Sequence, residues 1–257
     1  MKLITGISLL ITLTVSSAAR ADWTLITDNT DPVYQIYIDF DTLKAVGGYL
    51  RAWELIDYEI ATTPSSGVRF KSSKTLKEYD CANEQTRTLA LTNADGNMGG
   101  GAVVSSDMDI SKPTNWSILA PNTNGKAKFD AACNFRTLTA KPKTWGAPVY
   151  QSVWLSISLD RFSFLRRGNL VRTRVLYDHS EIKAETGNAK LRYFSTVYGI
   201  DFDCENDTFS IFSLLNYSKP KSEGSATRVI ASEKNNFDAM EPGHPLEKLS
   251  KVACLAK

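Results

Sequence analysis

Apolar and polar residues alternate through YQIYIDF (34–40), a stretch rich in β-branched and aromatic side chains. That period of two predicts a half-buried strand. YLRAWELIDYEI (49–60), GVRFKSSKTLKEYDC (67–81) and RTLALTN (87–93) continue the pattern, and GGGAVVSS (99–106) adds a strand after a glycine turn. The second half repeats the series in VWLSISL, NLVRTRVLYD, KLRYFSTVYGIDFDC and FSIFSLLNY. The end of each series changes period. PLEKLSKVAC places Leu246, Leu249 and Ala253 on one helical face behind Pro245, which suits a first helical turn. NGKAKFDAAC is its weaker counterpart. The expected fold class is α+β, with two tandem domains. Each is an antiparallel sheet followed by a C-terminal helix.

The two series align as copies. Cys81 falls over Cys204, and upstream Asp80 meets Asp203, Tyr79 meets Phe202, Ser72 meets Ser195 and Arg69 meets Arg192 without a gap. Beyond a two-residue insertion Asp57 meets Asp178, Arg51 meets Arg172 and Asp39 meets Asp160. Downstream, Asn93 meets Asn216 and Gly101 meets Gly224, and after a two-residue deletion Trp116 meets Phe237 and Cys133 meets Cys254. A period of more than about 100 residues means tandem domains rather than a solenoid. The expected boundaries are 22–133 for copy one, 134–144 for a linker with Pro142, and 145–257 for copy two.

Four cysteines, Cys81, Cys133, Cys204 and Cys254, allow three pairings. Only Cys81–Cys133 with Cys204–Cys254 keeps each bond within one copy. Each disulfide would then tie a C-terminal helix to the strand ending in Tyr-Asp-Cys or Phe-Asp-Cys. No C-x-x-C or H-x₃-H spacing competes as a metal site, and no metal or cofactor is expected.

Residues 1–21 read as a secretory signal peptide. Lys2 supplies the positive start, Leu3–Val15 the apolar core, and Ala19–Arg20–Ala21 the cleavage site. The apolar run falls short of the roughly 20 residues a membrane span needs. Lys2 and Arg20 account for the whole formal charge of +2, so the mature chain is neutral. A neutral chain lacks the basic excess of a nucleic-acid binder.

The series YIDF, YLRAWELIDY, SSKTLKEYDC, TLALTN, GNMGGG, Trp116, Pro121 and AAC resembles the surface-adhesin protein E family of bacterial envelope proteins. The resemblance spans nearly the whole mature chain. Copy two diverges, with Arg174 for Trp53 and Phe237 for Trp116. It implies a sheet-plus-helix fold and, as for the characterised adhesin, binding of host matrix and serum proteins at the cell surface. That adhesin carries a lipoprotein-type cysteine just after its signal. None follows the expected cleavage site here, so periplasmic or secreted residence is expected.

Several residues are candidate sites. Asp80 and Asp203 are expected to orient the turns beside the disulfides, because a carboxylate at a strand end bonds local backbone. Asp39 and Arg51 are twelve residues apart, as are Asp160 and Arg172, a spacing that suggests cross-strand ion pairs around a hairpin. Arg161, Arg166, Arg167, Arg172 and Arg174 crowd fourteen residues of copy two, where copy one has only Lys44 and Arg51. Such local basicity suits a polyanion, a glycan or an acidic protein. The candidate binding surface is therefore Trp53, Arg166, Arg167, Arg172 and Arg174. Copy one lacks histidine, and no hydrolase, zincin or phosphate-loop motif accompanies His179 or His244. NADGNMGGG (93–101) lacks the following lysine and helix, which makes it a hairpin loop. The chain reads as a non-enzymatic binding protein.

Overall fold

The computed structural model describes residues 22–64, 67–139, 145–185, 188–231 and 236–256. The expected signal peptide and residues 140–144 of the expected linker lie outside these. Copy one runs β1 (Trp23–Thr30), β2 (Val33–Val46), β3 (Tyr49–Thr62), β4 (Phe70–Asp80), β5 (Gln85–Ala94), β6 (Val103–Asp107), β7 (Ser117–Ile118) and α1 (Asn124–Thr139). Copy two runs β8 (Tyr150–Gln151), β9 (Leu155–Leu159), β10 (Leu165–Arg167), β11 (Leu170–Glu185), β12 (Asn188–Asp203), β13 (Thr208–Tyr217), β14 (Ala226–Ala231), β15 (Asp238–Ala239) and α2 (Pro245–Leu255). Helix α1 continues six residues beyond Cys133, so the first part of the expected linker is helical.

The expectation of a separate sheet in each copy is corrected. One continuous sheet has the order β6-β5-β4-β3-β2-β1-β14-β13-β12-β11-β9-β8. The copies join where β1 pairs with β14 in parallel, at Leu25 and Arg228, whereas every other pairing is antiparallel. The Thr24 hydroxyl donates to the Ala226 carbonyl across this junction. Pairing there satisfies edge groups that would otherwise be open to other chains.

The parallel junction turns copy two over. Val171, Val175, Ile200 and Phe202 pack under α2 with Leu246, Leu249 and Ala253. Their strand neighbours Leu176 and Val197, followed by Leu215 and Val229, belong instead to the core under α1, with Phe129, Ala131 and Ala132. Successive strand residues face opposite sides. The two helices therefore lie on opposite faces of the sheet. A third small core, Leu25, Tyr37 and Leu55, sits on the face away from α1 and is covered by Leu191 of copy two.

Each helix is capped and tied alike. The Thr123 hydroxyl accepts from the Lys126 amide at the start of α1. The His244 imidazole accepts from the Leu246 amide at the start of α2, where Pro245 fills the first turn. Cys81 is bonded to Cys133 and Cys204 to Cys254.

Candidate functional site

Three motifs recur atom for atom in the two copies. In the first, the carboxylates of Asp80 and Asp203 each accept two backbone amides and an asparagine side chain, Asn83 or Asn206. The asparagine bond, helped by the amides, holds both carboxyls below the usual carboxylate range. These aspartates shape turns, as expected of them. In the second, the Ser72 hydroxyl donates to Gly96 and accepts from Gly99, and Asp57 accepts from the Met98 amide. Ser195, Lys219, Ser222, Lys221 and Asp178 repeat this arrangement. Gly101 and Gly224 close these loops in the left-handed region, at φ 79° and 74°. The glycine-rich run is thus a hairpin loop pinned by an aspartate and a serine.

The third motif corrects an expectation. Asp39 does not pair with Arg51, nor Asp160 with Arg172. Strand β2 bulges between Asp39 and Lys44, so Asp39 stands opposite Trp53 and Lys44 opposite Arg51. A twelve-residue count around the hairpin misses those extra residues. The Asp39 carboxylate accepts from the Asp41 amide, while Thr42 donates to the Asp39 carbonyl and accepts from the Trp53 amide. Asp160, Phe162, Ser163 and Arg174 do the same in copy two. The difference is the side chain opposite. Arg174 lies 2.5 Å from the buried Asp160 carboxylate, whereas Trp53 offers Asp39 no charge. Burial accordingly holds the Asp39 carboxyl above the usual range.

The arginines find their acids on the next strand. Arg51, Glu78 and Arg87 stand in register across β3, β4 and β5. Glu78 is fully buried and accepts from both arginines at 2.6 Å. The Arg87 guanidinium lies 4.4 Å over the Trp116 ring and 5.9 Å from that of Tyr49. In copy two Arg172 makes two 2.7 Å bonds to Asp201 and stacks on Phe212. Ser210 replaces Arg87, and its buried hydroxyl has no hydrogen-bond partner among the described residues. The Arg51–Glu78–Arg87 row with Tyr49 and Trp116 was not among the sequence candidates. Finding it required the register of two successive hairpins.

The five candidate surface residues do not converge. Trp53 shares the face away from α1 with Arg51, two positions along β3. Arg172 and Arg174 lie on the face away from α2, which after the turn-over is the α1 side. Arg166 points the other way and donates to the carbonyls of Cys254 and Ala256, capping the end of α2. Arg167 is exposed on the strand edge beside Leu170.

Under α1 lies a buried polar network. Glu54 accepts from the Tyr79 hydroxyl at 2.6 Å and from Lys128 at 2.5 Å. Lys77 bonds Thr88, and burial lowers its affinity for a proton despite the Glu54 charge. Burial and then Glu54 raise the Tyr79 phenol far above its usual value. Among the described residues, no group of three or more His, Cys, Asp or Glu is placed to hold a metal. No described helix is long and apolar enough to cross a membrane.

Comparison with known proteins bears on both copies. Crystal form II of Haemophilus influenzae protein E aligns at 15% identity and a TM-score of 0.36, covering 49% of this chain and 98% of that one. A second structure of Haemophilus influenzae protein E aligns at 16% identity and a TM-score of 0.35, covering 49% and 91%. No curated protein matches the chain. The model of the family described as surface-adhesin protein E matches twice, at residues 23–134 and 154–255, which together make up most of the sequence. The chain belongs to the surface-adhesin protein E family, in two tandem copies.

Proposed function

We propose that this is an exported, non-catalytic binding protein of the bacterial envelope, adhesin-like in role, which engages a protein or glycan partner outside the cytoplasm. The observation that carries this reading is the double family match. The copy-one face away from α1 is the surface best suited to the task. Arg51 and Arg87 share one buried carboxylate, which leaves the row net positive, and the half-buried rings of Tyr49 and Trp116 flank it. Arginine and large aromatics dominate binding hot spots, and net positive charge favours an acidic partner.

The test is capture of matrix and serum proteins on immobilised mature protein, together with protease accessibility on intact cells. Arg87→Ala with Trp116→Ala should weaken capture by about tenfold or more, the value of one hot spot. Undiminished capture by that variant removes the face from consideration. Release by osmotic shock alone, with protection on intact cells, would instead support a periplasmic assembly role. The polyanion reading narrows to Arg167 and the outer side of Arg172, because Arg166 and Arg174 are committed within the fold. Arg167→Ala should elute from heparin earlier at low salt, and unchanged elution would end that reading.

A further inference from the structure

The bulge that follows Asp39 and Asp160 is built alike in both copies but presents different side chains to solvent. Each carboxylate accepts the amide two residues on, that of Asp41 in copy one and of Phe162 in copy two. The turn forms with either residue. Copy one keeps the position polar and exposed, whereas copy two leaves Phe162 81% exposed. Leu165 follows in β10, opposite Arg172, and is 46% exposed. Its copy-one counterpart, opposite Arg51, is Lys44. Neither Phe162 nor Leu165 belongs to any of the three cores. Packing therefore gives no reason for an apolar side chain at either position.

Cations accompany this apolar pair. Arg161 and Arg167 are exposed and have no hydrogen bond or ion pair with the described residues. Leu165 and Arg167 share one face of β10, and Arg172 beside them stays 44% exposed although it is bonded to Asp201. The nearby acids are already engaged. Asp160 and Asp201 are buried against Arg174 and Arg172, while Asp203 and Glu205 at the β12–β13 turn are each bonded by an asparagine. The bulge also satisfies its own backbone. Asp160 takes the Phe162 amide at its carboxylate, and the Ser163 amide and hydroxyl at its carbonyl.

We infer that this bulge and the β10–β11 hairpin dock on an anionic lipid surface. Phe162 and Leu165 enter the boundary between headgroups and acyl chains, and Arg161 and Arg167 meet the headgroup phosphates. Apolar side chains beside long cationic ones are the composition of interfacial membrane contacts. The arginine stems reach back to the headgroups while the apolar side chains go deeper. Entry into a bilayer adds no unpaired amide at Phe162 or Ser163, because both are bonded within the bulge. A sulfated glycan would engage the same arginines but leave Phe162 in water. The inference rests on the polyanion reading of Arg167 for its charge alone.

The test is sedimentation of the mature protein with phosphatidylcholine vesicles, with and without added phosphatidylglycerol. The protein should sediment with the anionic vesicles and far less with the neutral ones. Phe162→Ser, which keeps the turn amide, should weaken that partition about tenfold, and Arg167→Ala about fivefold. On heparin Phe162→Ser should elute unchanged. Phe162→Trp should be quenched by acyl-brominated lipid more strongly than the wild type, which reports depth directly. No sedimentation, equal sedimentation with both vesicle types, indifference to either exchange, or no added quenching of Phe162→Trp would overturn the inference. Loss of both vesicle and heparin binding in Arg167→Ala, with Phe162→Ser unaffected, would overturn it while leaving the polyanion reading standing. Vesicle binding that needs Phe162 and Arg167, with heparin elution unchanged in Arg167→Ala, would support the membrane contact and end the glycan reading instead.

Discussion

The two copies fill the same space between sheet and helix with opposite chemistry. Copy one places Lys77, Glu54, Tyr79 and Lys128 there, hydrogen-bonded and almost enclosed. The aligned positions in copy two are Ile200, Val175, Phe202 and Leu249, all buried and apolar. The backbone accepts either set, so the ions are not needed to make the fold. A buried ion pair repays its desolvation only when its geometry is complete, and an apolar set needs only volume. The comparison predicts that copy one is vulnerable to partial change and tolerant of complete exchange.

Lys128→Met tests the first half of that statement. It leaves the enclosed Glu54 carboxylate with the Tyr79 hydroxyl but without its cation. Urea unfolding should show a loss of about 3–5 kcal/mol, the usual penalty for orphaning a buried charge. The exchange of all four residues for their copy-two counterparts should be neutral or stabilising by up to a few kcal/mol. If it destabilises as much as Lys128→Met, the network is integral to copy one and the comparison fails.

The disulfides sharpen the contrast further. Each closes a loop of about 50 residues, and its removal by paired Cys→Ala exchange should cost roughly 2–4 kcal/mol. The local consequences should differ. Helix α1 is also held by β14 and β1 of the junction, while α2 packs on β11 and β12 of its own copy. Hydrogen exchange should therefore rise more in α2 after loss of Cys204–Cys254 than in α1 after loss of Cys81–Cys133. Equal rises would mean that the junction does not support α1.

Asp39 and Asp160 give a smaller effect with a pH sign. Asp160→Asn removes the charge that Arg174 meets in the interior and should cost about 1–3 kcal/mol at neutral pH. Asp39→Asn keeps the turn and removes a carboxylate that faces Trp53, so it should change little there. The folded-state pKa of Asp39 is raised above its unfolded value. Its contribution to stability is full below the unfolded pKa and is lost as pH rises through the folded one. Stability of the wild type relative to Asp39→Asn should fall as pH rises from below the ordinary carboxylate pKa through the raised folded-state one. A flat difference in paired urea titrations would contradict the burial argument.

Much of this architecture was legible because it is local. The cysteine spacing, the strand alternation and the helix at the end of each copy depend on neighbours a few residues apart. The repeated Asp, Ser and Gly positions mark turns that each copy builds for itself. The bulge after Asp39 was not legible, because three extra residues on β2 leave the alternation readable on either side while shifting the register between them. The fusion of the two sheets depends on a contact some 200 residues apart in sequence, between Thr24 and Ala226. It left one trace. The row Leu176, Val197, Leu215, Val229 is apolar although it faces away from α2, because α1 covers that side of copy two. The same row in copy one is Leu55, Lys74, Thr92, Ser106, which turns polar towards the outer edge at β6. Pro148 precedes β8 at the opposite edge and cannot donate to a further strand. The candidate arginines lie on different surfaces for a related reason. Sequence proximity placed them together, and the turn-over of copy two and the end of α2 drew them apart.

Arg166 supplies the smallest test of the difference between copies. Its copy-one counterpart is Ala45, which cannot supply the cation that Arg166 brings to the C-terminal carbonyls of α2. The last turn of a helix leaves carbonyls without amide partners and carries the negative end of the dipole. Arg166→Ala should therefore cost about 0.5–1 kcal/mol and raise amide exchange chiefly in the last turn of α2. Ala45→Arg is the converse experiment. Helix α1 runs six residues past its cysteine, so its end lies away from this hairpin and the substitution should leave its exchange unchanged. A protective effect of Ala45→Arg on α1 would show that the capping site is a property of the repeated hairpin rather than of copy two alone.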